Sequence, residues 1–172
     1  MLTLRVVGPD EVELCRRLGQ IVLEAYLALA DRPDDPGYEQ ELVDVVARAA
    51  SATVVAAFHG GPPDAEPVPV GCVTYLGDAT NEHAEHDDPD AASFRMLGVA
   101  TAGQGRGAGR ALTQWCIDRA RSDGRQRILI HSGSWMTRAH ALYGSMGFVR
   151  RPDLDWSFQG YIHLWGFALE LA

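Results

Sequence analysis

Apolar and polar positions along the chain change period several times, and each change marks an element. Leu2 to Val7 alternates and predicts a first strand. Pro9, Asp10 and Glu11 then open a helix, because acids favour the positive end of its dipole. Leu18, Ile21, Val22, Ala25 and Leu29 recur at helical spacing and predict one buried face. The run Asp31-Arg32-Pro33-Asp34-Asp35-Pro36-Gly37 breaks that helix. A second helix follows, with Tyr38, Leu42, Val45, Val46 and Ala49 on one side. Thr53 to Phe58 is rich in apolar and β-branched residues and reads as a strand. Gly60-Gly61-Pro62-Pro63 is a turn, and Val68 to Leu76 is the next strand, with Pro69 tolerated near its start.

Gly77 to Ala92 is polar and acidic and reads as a loop before a strand at Phe94–Val99. A glycine-rich turn follows, then a helix whose stripe is Ala108, Ala111, Leu112, Trp115, Cys116 and Ala120, ended by Gly124. Ile128-Leu129-Ile130 makes Arg127–His131 a short buried strand. Thr137–Met146 is a second short helix with Ala139, Leu142, Tyr143 and Met146 inward and Gly147 as its stop. Phe148 opens another strand, and Tyr161–Leu171 closes the chain as the last. The order β-α-α-β-β-β-α-β-α-β-β describes one mixed sheet with helices on both faces.

The turn Gly103–Gly109 holds four glycines between a strand and a helix. Such a turn leaves backbone N–H groups free at a helix start, where the dipole also favours an anion. Arg106 and Arg110 add positive charge there, so the turn is a candidate phosphate seat. A plain tight connection is the alternative. A dinucleotide site fits Gly103-x-Gly105-x-x-Ala108, but the next strand ends in His131 rather than an acid. A phosphate-loop NTPase is excluded because no Gly-Lys-Ser/Thr follows.

Composition narrows the field. A chain of 172 residues with ordinary apolar content reads as one domain, 1–172, with a sizeable core. The net charge of −8 argues against a nucleic-acid partner. Cys15, Cys72 and Cys116 are dispersed and read as small buried hydrophobes rather than a disulfide framework or metal knuckle. No metal site is expected. Met1 to Arg5 lacks the pattern of a signal peptide, and no apolar run approaches a membrane span, so the expectation is a cytoplasmic protein without membrane contact.

Two segments resemble signatures of the GNAT acyltransferases. The stretch Leu97–Leu112, with a Q-x-x-G-x-G core at Gln104, Gly107 and Gly109, is similar to that family's acetyl-CoA motif. The later run from Ala139 to Phe148 resembles its A-x-x-L-Y-x-x-x-G-F signature. The resemblance implies a single-domain α/β GNAT acyltransferase fold, with a mixed sheet of about seven strands flanked by about four helices. It implies an acetyl-CoA-dependent N-acetyltransferase, with acetyl-CoA lying in a splay between the Phe94–Val99 and Arg127–His131 strands. The cosubstrate contacts it implies are Leu97, Gly98, Val99, Gln104, Gly105, Arg106, Gly107, Ala108, Gly109, Arg110 and Ala139. Tyr143 would protonate the departing thiolate; a core tyrosine is the plainer reading of the same residue. A homodimer through Tyr161, Leu164, Trp165 and Phe167 is a further implication. Two positions depart from the family pattern. Met136 stands where the family often has Asn, and the central strand offers Ser93 and Arg95 but no carboxylate.

The acceptor side is read from charge. Asp34, Asp35, the acids from Glu82 to Asp90, Asp153 and Asp155 are candidates to attract a cationic amine, or are ordinary surface. Trp135 and Trp156 are candidate pocket walls. His83, Glu85, His86, Asp87, Asp88 and His131 are candidate bases, and His163 reads as structural. A primary amine of a small molecule is the expected acceptor, with a peptide or protein amine, or a non-catalytic CoA-binding module, as alternatives.

Overall fold

The computed structural model describes residues 1–60 and 65–171, so most of the expected turn at Gly60–Pro63 lies outside the described residues. Eight strands form one mixed sheet among those residues: β1 (Leu2–Val7), β2 (Thr53–His59), β3 (Val68–Leu76), β4 (Ala91–Val99), β5 (Arg127–Gly133), β6 (Val149–Arg150), β7 (Trp156–Phe158) and β8 (Ile162–Glu170). Their order is β1-β2-β3-β4-β5-β8-β6, with β7 paired to the outer part of β8. Five α-helices accompany them: α1 (Val12–Leu27), α2 (Pro36–Val43), α3 (Val45–Ser51), α4 (Ala108–Ser122) and α5 (Thr137–Ser145).

The helix and strand beyond the expected numbers have local causes. The expected second helix is two, because Asp44 leaves helical geometry at ψ 66° and its carboxylate instead caps α3 at the Ala47 N–H, 3.0 Å away. The turn rotates the buried face, so Leu42, Val45 and Arg48 point inward while Val46 is exposed. The extra strand is the three-residue β7, too short and too exposed to show a periodic pattern. Pro69 sits where the β2–β3 register shifts opposite Ala57 and Phe58, so its missing N–H falls at an irregularity.

Pleating divides the core in two. Val55 and Ala57 of β2 join Phe94, Ile128 and Ile130 beneath α4 and α5. Val54, Ala56 and Phe58 face the other way, against Leu18 and Val22 of α1 and Leu42 of α2. Phe167 belongs to the first of these cores and is buried, which removes it from the expected dimer face. Tyr161 and Trp165 are exposed.

Two features of the sheet shape the centre of the molecule. Only Ala91 and Ala92 of β4 pair with β5, in parallel, opposite Arg127 and Ile128; beyond them the two strands part. On the other edge of β4, Thr74 faces Arg95 and Cys72 faces Gly98, so Met96 and Leu97 together oppose Val73. This is a β-bulge, and it holds Met96 at φ 54°. Such a conformation costs a non-glycine residue of order 1–3 kcal/mol, and Met96 is buried by the packing that maintains it. Gly98 then lets α1 lie directly on β4, since a Cβ there would come within 2.8 Å of the Val22 Cα.

Candidate active site

Where β4 and β5 part, a cleft of about 1260 Å³ opens across the sheet. Its two ends differ in chemistry. One end is the glycine turn. The other lies between α1, α2, the acidic loop and the β7–β8 hairpin.

At the glycine turn, Gly107 is the N-cap of α4 and takes φ 83°, which a residue with a Cβ resists. The first bond of the helix ladder runs from the Ala111 N–H to the Gly107 carbonyl at 2.9 Å. Among the described residues, the N–H groups of Gly107, Ala108, Gly109 and Arg110 have no main-chain acceptor. Space above the turn is open, because a Cβ on Gly105 or Gly107 would meet nothing within 4 Å. Four directed donors at the positive end of a 15-residue helix suit a pyrophosphate. Leu97, Gly98, Val99, Gln104, Gly105, Gly107, Ala108, Gly109, Arg110 and Ala139 all line the cleft. Arg106 does not; it is exposed on the outside of the turn. Arg110 donates to Ser145 Oγ at 2.7 Å, which ties α4 to the end of α5.

Gln104 spans the mouth of the cleft. Its amide donates to the Val99 carbonyl at 3.3 Å, and its Oε1 accepts from Arg138 at 3.0 Å. Arg138 is a cleft residue that sequence spacing does not signal, because only the fold brings the first turn of α5 opposite the glycine turn. Tyr26 and Tyr38 are two more. Their rings meet edge to face at 5.4 Å in the part of the cleft bordered by α1 and α2.

Tyr143 enters from α5, where its ring packs on Phe94, Phe148 and Phe167 at 5.8, 5.7 and 6.2 Å. The ring is therefore core, and the residue also lines the cleft. Its hydroxyl makes no hydrogen bond to another protein group among the described residues. Burial pushes the phenol well above its ordinary range, so it stays protonated at neutral pH and can only give a proton. Met136 sits at the N-cap of α5 without capping it, and its sulfur accepts from Ser132 Oγ at 3.3 Å.

The end of the cleft away from the glycine turn mixes aromatic walls with charge. Trp135 and Trp156 both line it. Of the acids considered, Asp35, Glu82 and Glu85 line the cleft. Asp153 and Asp155 do not; they are held in bidentate pairs with Arg151 and Arg150. Asp34 is exposed beside Arg32, and His163 is exposed beside Ser157. His83 lines the cleft but its Nε2 turns to Ser51 Oγ at 3.1 Å. Arg95 is half-enclosed; burial works against its charge, but Glu85 and Tyr38 outweigh that and hold the guanidinium protonated. The cysteines lie in the core, where burial raises all three thiols, Cys72 to about 12, so none is poised as a nucleophile.

The sheet is split at its centre, with free helix N–H groups at one end of the split and polar side chains at the other, a layout suited to an extended ligand with an anionic group. The profile of the "Acetyltransferase (GNAT) family" matches residues 17–148. The chain belongs to that family. A mycothiol acetyltransferase from Beutenbergia cavernae is 44% identical over 63 residues, which are 36% of this chain and 21% of that protein. The matched part thus spans about a fifth of that curated relative's length. An acetyltransferase of the GNAT family from Staphylococcus aureus has the same fold, with TM-score 0.73 over the whole of both chains at 11% identity. A Salmonella typhimurium structure with its cofactor acetyl-CoA aligns over 99% of this chain and 94% of that one, with TM-score 0.64 and 22% identity. Among the described residues no helix is long and apolar enough to cross a membrane.

Proposed function

We propose that this acetyltransferase moves an acetyl group from acetyl-CoA to a primary amine of a small molecule by direct attack. The observation that carries the reading is the pairing of four unbonded N–H groups at the start of α4 with a protonated, cleft-lining Tyr143 across the same split sheet. When bound, acetyl-CoA supplies an acetyl thioester, activated for attack by an amine. The residues present suit it: Gly107 to Arg110 would hold the pyrophosphate, and the free edge of β4 beyond Ala92 would pair with an extended arm as a strand does. Tyr143 would hold the proton that the leaving sulfur needs. The buried, protonated cysteines favour direct attack over an acyl-enzyme. Aromatic walls at Trp135 and Trp156 favour a small acceptor over a folded protein. The exposed Tyr161 and Trp165 support pairing of two copies along β8 as part of the same proposal.

Thermal unfolding during an acetyl-CoA titration tests the seat. Ligand at about a hundred times its Kd adds roughly 2.7 kcal/mol of stability. A saturable rise is expected, and no shift at millimolar acetyl-CoA would overturn the reading. CoA release with a panel of small amines and of peptides with free N-termini then tests the acceptor, and faster turnover of the peptides would replace the small-molecule assignment.

A further inference from the structure

A primary amine is an ammonium ion at neutral pH, so the chain needs a group to take its proton before attack. The central strand carries no carboxylate. The fold provides one from elsewhere. Counting on from the pair Ala92 and Ile128 places Arg95 of β4 level with His131 of β5, beyond the point where the strands separate. Phe94 and Ile130 turn into the core beneath α4, so pleating sends Arg95 and His131 to the opposite face. The acidic loop drops Glu85 between them. One carboxylate oxygen lies 3.4 Å from Arg95 Nη2, and the other lies 3.8 Å from His131 Nδ1. Arg95 also donates to the His83 carbonyl at 3.1 Å, which fixes the loop two residues before Glu85.

The tautomer of His131 follows from its other nitrogen. Nε2 is 2.8 Å from the Leu154 carbonyl oxygen, and a carbonyl only accepts, so Nε2 carries the hydrogen. In the neutral ring Nδ1 is then a lone pair, and it faces the carboxylate of Glu85. Nδ1 and the carboxylate oxygen face each other 3.8 Å apart in the wall of the cleft, a gap where one proton from a bound ammonium can be shared. The His131 side chain is only 5% exposed, and the Trp156 ring abuts it at 6.3 Å, so the pair is shielded on its far side.

We infer that Glu85 and His131 are the paired base that takes a proton from the acceptor ammonium, and that Arg95 is a positioning residue that holds Glu85 in place. This rests on the transfer reaction proposed above. An ammonium N–H bond breaks and its proton passes to Nδ1, beside the Glu85 charge. The freed nitrogen pair forms the C–N bond as the C–S bond breaks. The second nitrogen proton balances the one given to sulfur, so amide, thiol and one proton released to solvent are the products. The titratable and charged groups around His131 are Glu85 and the largely neutral His86 from the loop and Asp155 ahead of β7, with Arg95 of β4 reaching it through Glu85.

The test uses acetyl-CoA with benzylamine, an ammonium at neutral pH, and with hydroxylamine, already neutral there. Glu85→Gln and His131→Asn should each lower kcat/KM for benzylamine about 100-fold at pH 7 while lowering it less than about threefold for hydroxylamine. The wild-type rate should level off with rising pH. The variants should instead climb about tenfold per pH unit, following the free amine. Arg95→Met should reproduce the Glu85→Gln profile, and Arg95→Lys should restore part of it. Equal losses on both acceptors, or an unchanged pH profile, would overturn the assignment. Long-range proton–nitrogen spectra of the imidazoles, assigned with His131→Asn, give a readout that needs no turnover. A protonated Nε2 and a bare Nδ1 whose signal moves in Glu85→Gln support the pair; a protonated Nδ1, or no movement, removes it. The acetyl-CoA thermal shift should persist in every variant, and its absence from the wild type would fault the transfer reading rather than the base.

Discussion

Replacing Gly107 by Ala separates what the glycine turn does for folding from what it does for the cosubstrate. Gly107 takes φ 83°, and an added Cβ would meet nothing within 4 Å, so the penalty in the free protein is backbone strain alone. Holding an L-residue in the left-handed region costs about 1–2 kcal/mol. For a chain of this size each kcal/mol lowers Tm by about 2–4 °C, so the expected loss is roughly 2–8 °C. Gly124 provides the control. It lies just past the other end of α4 at φ 71°, also with open space, and Gly124→Ala should lower Tm by a similar amount. The two variants differ in what else they disturb. If residue 107 relaxes toward ordinary φ, the N–H groups from Gly107 to Arg110 rotate away from their common target. Each hydrogen bond to a charged group is worth about 1.5–3 kcal/mol, so losing one weakens acetyl-CoA about 10–100-fold. Calorimetric titration of both variants reads this directly. Equal acetyl-CoA affinity in the Gly107 and Gly124 variants, at equal loss of Tm, would refute the N–H seat.

Further outcomes are expected elsewhere. Tyr143→Phe should cut kcat about 100-fold while leaving acetyl-CoA binding in place, and unchanged turnover would remove Tyr143 from the chemistry. Arg48 is buried and donates to Thr74 Oγ1, Leu42 O and Glu41 O, so Arg48→Ala takes this donor from Thr74 and Leu42, leaves Glu41 O only the Asp44 N–H, and should cost about 3–5 kcal/mol in urea unfolding. Burial holds His140 and His86 below the ordinary histidine value of 6.5. Their contribution to stability is then complete above that pH and is lost as pH falls, because the unfolded chain takes up protons first. Urea midpoints should decline from about pH 7 to about pH 5, with a shallower slope in the double variant His86→Gln, His140→Gln.

Much of the scaffold was legible because it depends on local period and punctuation. The α4 stripe ends at Gly124 and the α5 pattern at Gly147, both at positive φ, as their glycines announce. The Q-x-x-G-x-G turn announced the open helix end. Features set by distant partners were not legible. Nothing near Met96 signals a left-handed residue, since that conformation is imposed by pairing with β3 across the bulge. Arg48 looks like a surface residue until the fold turns it onto the carbonyls of α2. Phe167 reads equally well as surface or core on an isolated strand. Glu85 and His131 both stood among the candidate bases, but their juxtaposition was not legible, because only the loop's return beside Arg95 brings Glu85 to the cleft. Asp153 and Asp155 read as either acceptor-side charge or ordinary surface, and each has an arginine partner close by in sequence.

The brief pairing of β4 with β5 leaves two strand edges inside the sheet rather than at its rim. An outer edge can be guarded by charge, proline or shortness, but these inner edges must stay bare for a ligand to reach them. Those edges are a template for strand addition at the protein's own centre. A ligand laid along them would close that template, so acetyl-CoA should lower the chain's tendency to aggregate, which light scattering with and without it would read.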